Sequence, residues 1–543
     1  MKNLLYIWIV LAGTGIFTGC DHFLDDAPRG NAIAQTAEDY DRMFNASQIM
    51  NMMLNEAYYT YWKNDELIFT EDCYNTIAQL ASYPTSVQAA IEYRDQVYRD
   101  DENSLEWEKC YNQIYVFNAI ANGVMQADGD EAEKKFLLAE ARVSRAYMHF
   151  LLAQWYAMPY NETTASTEWA IPIVTEANTQ VSKYKRATVE ELYTWIITEM
   201  EEACPLLKER EEHRMRCYKA TGYALLGKVY FQMGKYEKAL EPLRISYRLL
   251  QGDPNVYLTD YKNKQASFGY TEMGMMEIMS FIPFVYSDNE TLYCKFNPTM
   301  RNYYLPYYNM APTDYLKPEI YVLFSEKDLR RNLISTKNTL GESLPYPYCG
   351  ALGAHTNLGC ALPEVYLMLA ECYYWKDMKQ EAANMINVVR QRAGAAPLTA
   401  SDINIGAVLD ERARELYYEE NRHVELSRIS YVYALTGKAC EVFGGHVYKL
   451  DNFSGPEGTS VNCKDAGVNF YFDWVSAKNN FYNKGIKTNY AEYRFSTHHV
   501  LWPIPEGSIT SNTGGVINQN VGYPGTENNI TPLKVGQDVP EKL

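Results

Sequence analysis

Glu415 and Glu419 stand four residues apart in "LDERARELYYEENRHVELSRIS" (409–430), so a helix would carry both carboxylates on one face. Such a pair could act on a glycosidic bond if one carboxyl stayed protonated. The neighbours argue against that: Glu411, Arg412, Arg414, Glu415, Glu419, Arg422 and Glu425 alternate in sign at i,i+3 and i,i+4 spacings. Guanidinium groups at that range keep carboxylates ionised and remove the general acid. The stretch reads as an ion-paired helix over 409–428, with Leu409, Leu416, Tyr417 and Leu426 interleaved as its apolar positions. His498 and His499 are adjacent, so on a strand they point to opposite faces and share no metal. Asp128, Asp130 and Glu131 lack the spacing of a calcium loop and read as a solvated turn. Pairs such as Glu71–Asp72 and Asp288–Glu290 are expected by chance among 68 acidic residues. The sequence has no G-x-S-x-G elbow, P-loop or H-E-x-x-H, and no G-x-G-x-x-G on a strand-to-helix turn. No catalytic residue, metal site or cofactor is expected.

The eleven cysteines include no C-x-x-C and no close cysteine–histidine pair, which excludes the usual structural zinc patterns. Cys110 and Cys372 fall on apolar helix faces and read as buried free thiols. Cys204 with Cys217, across a helix–helix turn, is the one pair that a disulfide could join. Cys20 differs in setting. It follows an apolar run from Leu4 to Thr18, preceded by Lys2. A run of about 15 residues suits a signal-peptide core and falls short of the roughly 20 a spanning helix needs. With Thr18 and Gly19 before it, Cys20 resembles the lipidated cysteine of a bacterial lipobox. Residues 1–19 would then be a removed signal peptide, and Cys20 the acylated N-terminus of a domain over 20–543. The alternative is an ordinary signal peptide cut nearby, with Cys20 a bystander. No second apolar run reaches spanning length, and Asp21, Asp25 and Asp26 would begin a tether.

A formal charge of −18 without basic clusters argues against nucleic acid and against an anionic membrane face. Forty-seven tyrosines supply rings with a polar rim, useful in cores, interfaces and sugar sites alike.

Helical periodicity carries most of the chain. Trp107, Tyr111, Ile114, Phe117 and Val124 paint one face of 104–127, and 131–160 reads as a long helix stopping near Met158, ahead of Pro159. Thr188 and Glu191 have the spacing of a capping box at the start of 188–207. In 219–250, Tyr223, Leu226, Gly227, Tyr230, Gly234, Tyr236, Ala239 and Leu243 fall at the offsets of a tetratricopeptide (TPR) unit. Leu369, Ala370, Tyr373, Ala382 and Ile386 repeat the pattern in 363–394. The scaffold therefore spans about 35–250 and 360–430. Between and after these lie two stretches rich in Pro, Gly, Asn and Tyr, about 251–345 and 437–500, which read as loops with short strands and as candidate binding surfaces.

Four stretches together resemble the SusD/RagB family of Bacteroidetes surface lipoproteins: "CDHFLDDAP" from Cys20, "AEARVSRAYMHFLLAQWYAMP" (139–159) with its Arg145-Ala146-Tyr147 core, the 364–394 and 409–430 segments, and "LWPIPEGSITSNTGGVINQNVGYPG" (501–525). In the last, "SNTGG" replaces the family's Asn-Pro step. The resemblance implies a mostly α SusD-like fold on four TPR-like helix pairs, with long irregular loops and short strands. It implies a non-catalytic protein that captures oligosaccharides at the cell outer membrane, held by a lipid anchor on Cys20, as partner of a SusC-like TonB-dependent transporter. Peptide cargo, as in the RagB branch, is one alternative, and a helical glycoside hydrolase is another. The resemblance also directs attention to loops after the early helices, with Trp62, Tyr74, Asn75 and Tyr83, and to the mid-chain insertion, with Tyr270, Tyr286, Asp288, Asn289, Tyr303 and Tyr304, as ligand contacts.

Overall fold

The computed structural model describes residues 34–46, 49, 67–68, 96–98, 104–180, 183–210, 213–262, 289–297, 315–316, 321, 323–337, 343–348, 356–416, 425, 428, 453–454, 460–461, 502–512, 517–520 and 523. Their helices are α1 (Ala37–Met43), α2 (Leu105–Gly123), α3 (Glu131–Tyr156), α4 (Val189–Ala203), α5 (Lys219–Gln232), α6 (Tyr236–Leu250), α7 (Leu362–Trp375), α8 (Lys379–Arg392), α9 (Ile405–Glu415) and α10 (Glu506–Ser511). Local chemistry sets their ends. The Asp130 carboxylate accepts the Glu133 N–H at 2.9 Å and caps α3, so the acidic turn at 128–131 serves a helix start. Ala157 leaves the helix in an extended conformation two residues before Pro159. At α4, Glu191 N–H donates to the Thr188 hydroxyl at 3.1 Å while Thr188 N–H donates to the Glu191 carboxylate at 2.8 Å. This is the capping box that the sequence predicts.

Neighbouring helices pack as pairs, α2 on α3, α3 on α4, α5 on α6 and α7 on α8, and α6 against α7 joins the two TPR-like units across the intervening insertion. Gly227 makes the α5–α6 contact possible: a Cβ there would lie 2.5 Å from Leu243 Cγ. Gly234 turns the chain between these helices at φ 70°, a left-handed conformation that glycine adopts without strain. Between α3 and α4, Arg145 donates to Glu199 at 2.7 and 3.0 Å and to Asn118 of α2 at 3.1 Å. The adjacent Tyr147 hydroxyl donates to the carbonyls of Leu358 and Gly359 at 2.6 and 2.8 Å. The Arg-Ala-Tyr core thus clamps three elements. Strands among the described residues are two to six residues long and form two-stranded antiparallel pairs, such as Thr291–Tyr293 with Cys360–Ala361.

One buried apolar cluster runs from α1 to Tyr523, with Tyr147, Trp155, Tyr156, Tyr293 and Trp502 among its largest fully buried side chains. Cys204 and Cys217 are not bridged: both are buried free thiols, as are Cys110, Cys294 and Cys372. Helix α9 begins at Ile405, ahead of the charged pattern that starts at Leu409, because the Asn404 side chain accepts the Ala407 N–H at 2.9 Å. It caps at Leu416, and of the expected continuation to 428 only Glu425 and Arg428 lie among the described residues.

Candidate functional site

Two segments on either side of residues 263–288 meet beside the scaffold. One leaves α6 through Val256–Lys262 and the other is Asn289–Lys295. Tyr257 N–H donates to the Asn289 carbonyl at 3.2 Å, and Thr259 N–H donates to Glu290 Oε1 at 2.6 Å. Helical groups hold the second segment along its length. Leu362 N–H donates to the Glu290 carbonyl at 2.7 Å, the Thr221 hydroxyl to the Leu292 carbonyl at 3.1 Å, and the Tyr293 hydroxyl to Ser144 Oγ at 3.0 Å. Gly359 lies so close to this segment that a Cβ would sit 1.8 Å from the Tyr293 carbonyl oxygen, which leaves glycine as the residue that fits.

The result is an edge of fixed backbone that presents Tyr257, 53% exposed, next to the half-buried Asn289 and the exposed Asp260. An exposed ring can stack on the C–H face of a sugar, and amide and carboxylate groups can bond its hydroxyls.

Behind the edge is a chain of buried charge. Glu290 accepts from Arg392 Nη1 at 2.7 Å, Arg392 also pairs with Glu415, and Glu415 Oε2 accepts from Arg330 Nη1 at 2.7 Å. Arg330 continues to Asp328 at 2.7 Å and Glu411 at 2.9 Å. Glu411 in turn accepts from Arg390 at 2.6 Å and from Arg414 at 2.7 Å. Burial works to raise the Glu411 pKa, but the guanidinium groups of Arg330, Arg414 and Arg390 outweigh it and hold the carboxyl at about 2. Both oxygens of Glu415 are held by guanidinium groups, so it stands as an ion-pair partner and not as half of an acid–base pair. Glu419 lies outside the described residues.

Of the ligand contacts suggested by the sequence, Asn289 is the one the structure places, in the turn that opens strand Thr291–Tyr293. Trp62, Tyr74, Asn75, Tyr83, Tyr270, Tyr286, Asp288, Tyr303 and Tyr304 lie outside the described residues, as do Cys20, His498 and His499. Sequence reasoning passed over Tyr257, although it sits in a "GDPNVYLTDY" turn with the polar texture of the rest of the insertion. Glu290, taken as a chance acid, proves to be the link between edge and charge network.

Residues 362–523 match the SusD family model, and residues 22–231 match a SusD-like family described as starch-binding and associating with the outer membrane. Together they span more than half of the chain, with the first helix of the first TPR-like unit up to residue 231, the second unit, and the closing motif as far as Tyr523. The chain belongs to the SusD family. Solved SusD-like structures carry the same fold. A putative sugar-binding protein from Bacteroides vulgatus is 20% identical with a TM-score of 0.62, the match covering 91% of this chain and 100% of that one. A laminarin-binding SusD-like protein is 17% identical with a TM-score of 0.56, covering 90% and 100%. Surface glycan-binding protein A from Bacteroides uniformis is 16% identical with a TM-score of 0.59, covering 89% and 99%. No protein of curated function matches the sequence.

In this SusD-family chain the family's closing motif has a visible task. Gln519 brackets Ile504, accepting its N–H at 2.6 Å and donating to its carbonyl at 2.8 Å. Asn520 donates to the carbonyls of Tyr156 and Trp502 at 3.2 and 2.5 Å. Within the departing "SNTGG", the Asn512 side chain ties to both backbone groups of Tyr184, at 2.7 and 2.9 Å.

Proposed function

We propose that this SusD-family protein is a non-catalytic, cell-surface glycan-binding lipoprotein. It captures oligosaccharide and passes it to a SusC-like TonB-dependent transporter in the outer membrane, with residues 20–543 forming the SusD-like domain and an acylated Cys20 anchoring it. The observation that carries the carbohydrate reading is the exposed Tyr257 beside Asn289 on an edge fixed by the helical scaffold. The outer-membrane, starch-binding description of the matching family supports it, as do the sugar-, laminarin- and glycan-binding names of proteins with the same fold. Membrane attachment by two or more acyl chains on one cysteine would be firm without further contact. The formal charge of −18 favours one second reading, capture of cationic peptides.

The test is titration calorimetry of a soluble Cys20→Ala form against malto- and laminari-oligosaccharides and a cationic peptide, with palmitate labelling of the wild type as the check on the anchor. Saccharide binding weakened by Tyr257→Ala is expected. Binding of peptide but of no saccharide would overturn the carbohydrate reading, and palmitate incorporation that survives Cys20→Ala would overturn the anchor.

A further inference from the structure

The edge that carries Tyr257 and Asn289 is held from behind at three alternate positions of one segment. Tyr257 N–H meets the Asn289 carbonyl, Thr259 N–H meets the Glu290 carboxylate, and the Tyr261 ring lies 4.3 Å from the Arg392 guanidinium carbon. Two backbone N–H groups and one ring of the same segment thus meet residues 289–290 and Arg392, and Glu290 with Arg392 is the centre of that support.

Glu290 Oε1 accepts at once from Thr259 N–H at 2.6 Å and from Arg392 Nη1 at 2.7 Å. One carboxylate oxygen thus joins the 256–262 segment to the last turn of α8. Arg392 carries the connection on to Glu415 at the end of α9, and Arg330 carries it from there to Glu411. Side chains along this path are nearly closed to solvent: Glu290 is 12% exposed, Arg392 6% and Glu415 3%. Ion pairs so enclosed escape most screening, and a guanidinium fork that engages two carboxylates has little freedom to swing.

We infer that Glu290 and Arg392 are positioning residues for ligand capture, fixing the Tyr257–Asn289 edge in the conformation that receives a saccharide. The inference rests on the carbohydrate reading of that edge. Neither side chain need touch the ligand; their ion pair settles beforehand an ordering cost that binding would otherwise bear.

Glu290→Gln is the discriminating substitution, because the amide oxygen can still accept from Thr259 while one of the two charges that hold Arg392 is gone, leaving Glu415 alone. In calorimetry with the same malto- and laminari-oligosaccharides, it should weaken affinity about 3- to 10-fold, the range for re-ordering one or two side chains. Arg392→Lys, which keeps the charge but cannot fork between Glu290 and Glu415, should weaken it similarly, and the double variant should be no worse than either alone. A merely structural role would show as a lower melting temperature with additive losses. Amide exchange supplies a reading without ligand: Glu290→Gln should speed exchange at Tyr257 and Thr259 and leave α5 and α6 unchanged.

Saccharide binding by the wild type with Glu290→Gln undiminished would overturn the inference and leave the carbohydrate reading standing. Unchanged exchange at Tyr257 and Thr259 would overturn it as well. A wild type that binds no saccharide would overturn both together.

Discussion

Lys295 is fully buried, and among the described residues its ammonium bonds to an amide and not to a carboxylate, so the fold disfavours its protonation. Its Nζ donates to Gln113 Oε1 at 3.2 Å and lies 4.7 Å from the Tyr293 ring and 5.2 Å from the Phe117 ring. Burial pulls its pKa down to about 8, against smaller upward pulls from Cys294, Cys217, Glu140 and Cys110. The unfolded lysine titrates near 10.5. Below pH 8 both states carry the proton and the cost of enclosing the ammonium is fully present. Between pH 8 and 10.5 the unfolded state holds the extra proton, so this residue's contribution to stability rises with pH and levels off above 10.5. The shift corresponds to about 3 kcal/mol at most. Lys295→Met also removes the partner of Gln113, costing about 1–2 kcal/mol. The expected net is a gain of about 1–2 kcal/mol at pH 7 that disappears by pH 10.5, read as the wild-type-minus-variant difference in guanidinium unfolding at the two pH values. A difference that does not change with pH would sink this account. In the sequence, Lys295 is one of 50 basic residues, and nothing around "YCKFN" distinguishes it from a surface lysine. Its burial depends on α2, which supplies Gln113 and Phe117 from 182 and 178 positions away. Tertiary contacts of that span leave no local signal.

At the scale of elements, the α5–α6 pair shows what a sequence can specify on its own. Gly227 and Leu243 lie on helices joined by a three-residue turn, so spacing alone predicts that they meet. An added methyl at Gly227 would overlap Leu243, which is fully buried and has little room to yield. Gly227→Ala should therefore cost about 1–3 kcal/mol, as overpacking does, and lower the melting temperature. Because the methyl and the leucine compete for one space, Gly227→Ala combined with Leu243→Ala should cost less than the sum of the two single losses. Full additivity in thermal unfolding would show that the helices do not meet through this pair. The helix with the charged signature was less legible. Its alternating signs suggested pairing along one helix, yet Glu411 and Glu415 take guanidinium partners from Arg330, Arg390 and Arg392 on other elements, with Arg414 the near neighbour at i+3. Charge pattern told which residues were paired; only the fold could tell with whom.

Across the whole molecule, the closing motif is fastened to the end of α3, the longest helix among the described residues. Asn520 is 3% exposed and meets three partners: it donates to the carbonyls of Tyr156 and Trp502 and accepts from Arg186 Nη2 at 2.6 Å. Arg186 is itself buried, and its guanidinium also donates to the carbonyls of Ala170, Trp169 and Asn518 at 2.5, 3.1 and 2.9 Å. Burial draws its pKa down to about 10, so each acceptor lost there is costly. Trp502 rests against this joint, its ring 6.5 Å from that of Trp155 and its backbone N–H donating to the Trp155 carbonyl at 2.8 Å. Asn520→Ala removes one bond to a charged donor and two to buried carbonyls, worth about 2–4 kcal/mol together. Asn520→Asp keeps an acceptor for Arg186 but turns a carboxylate oxygen on the carbonyls of Tyr156 and Trp502, so it should destabilise the joint as well. If this joint couples the C-terminal motif to the helical scaffold, Asn520→Ala should reduce the near-ultraviolet signal of the buried Trp155–Trp502 pair at temperatures where far-ultraviolet helicity is intact. A variant whose near- and far-ultraviolet transitions remain superimposed at the wild-type melting temperature would mean that the motif is a passenger on the scaffold and not a fastening.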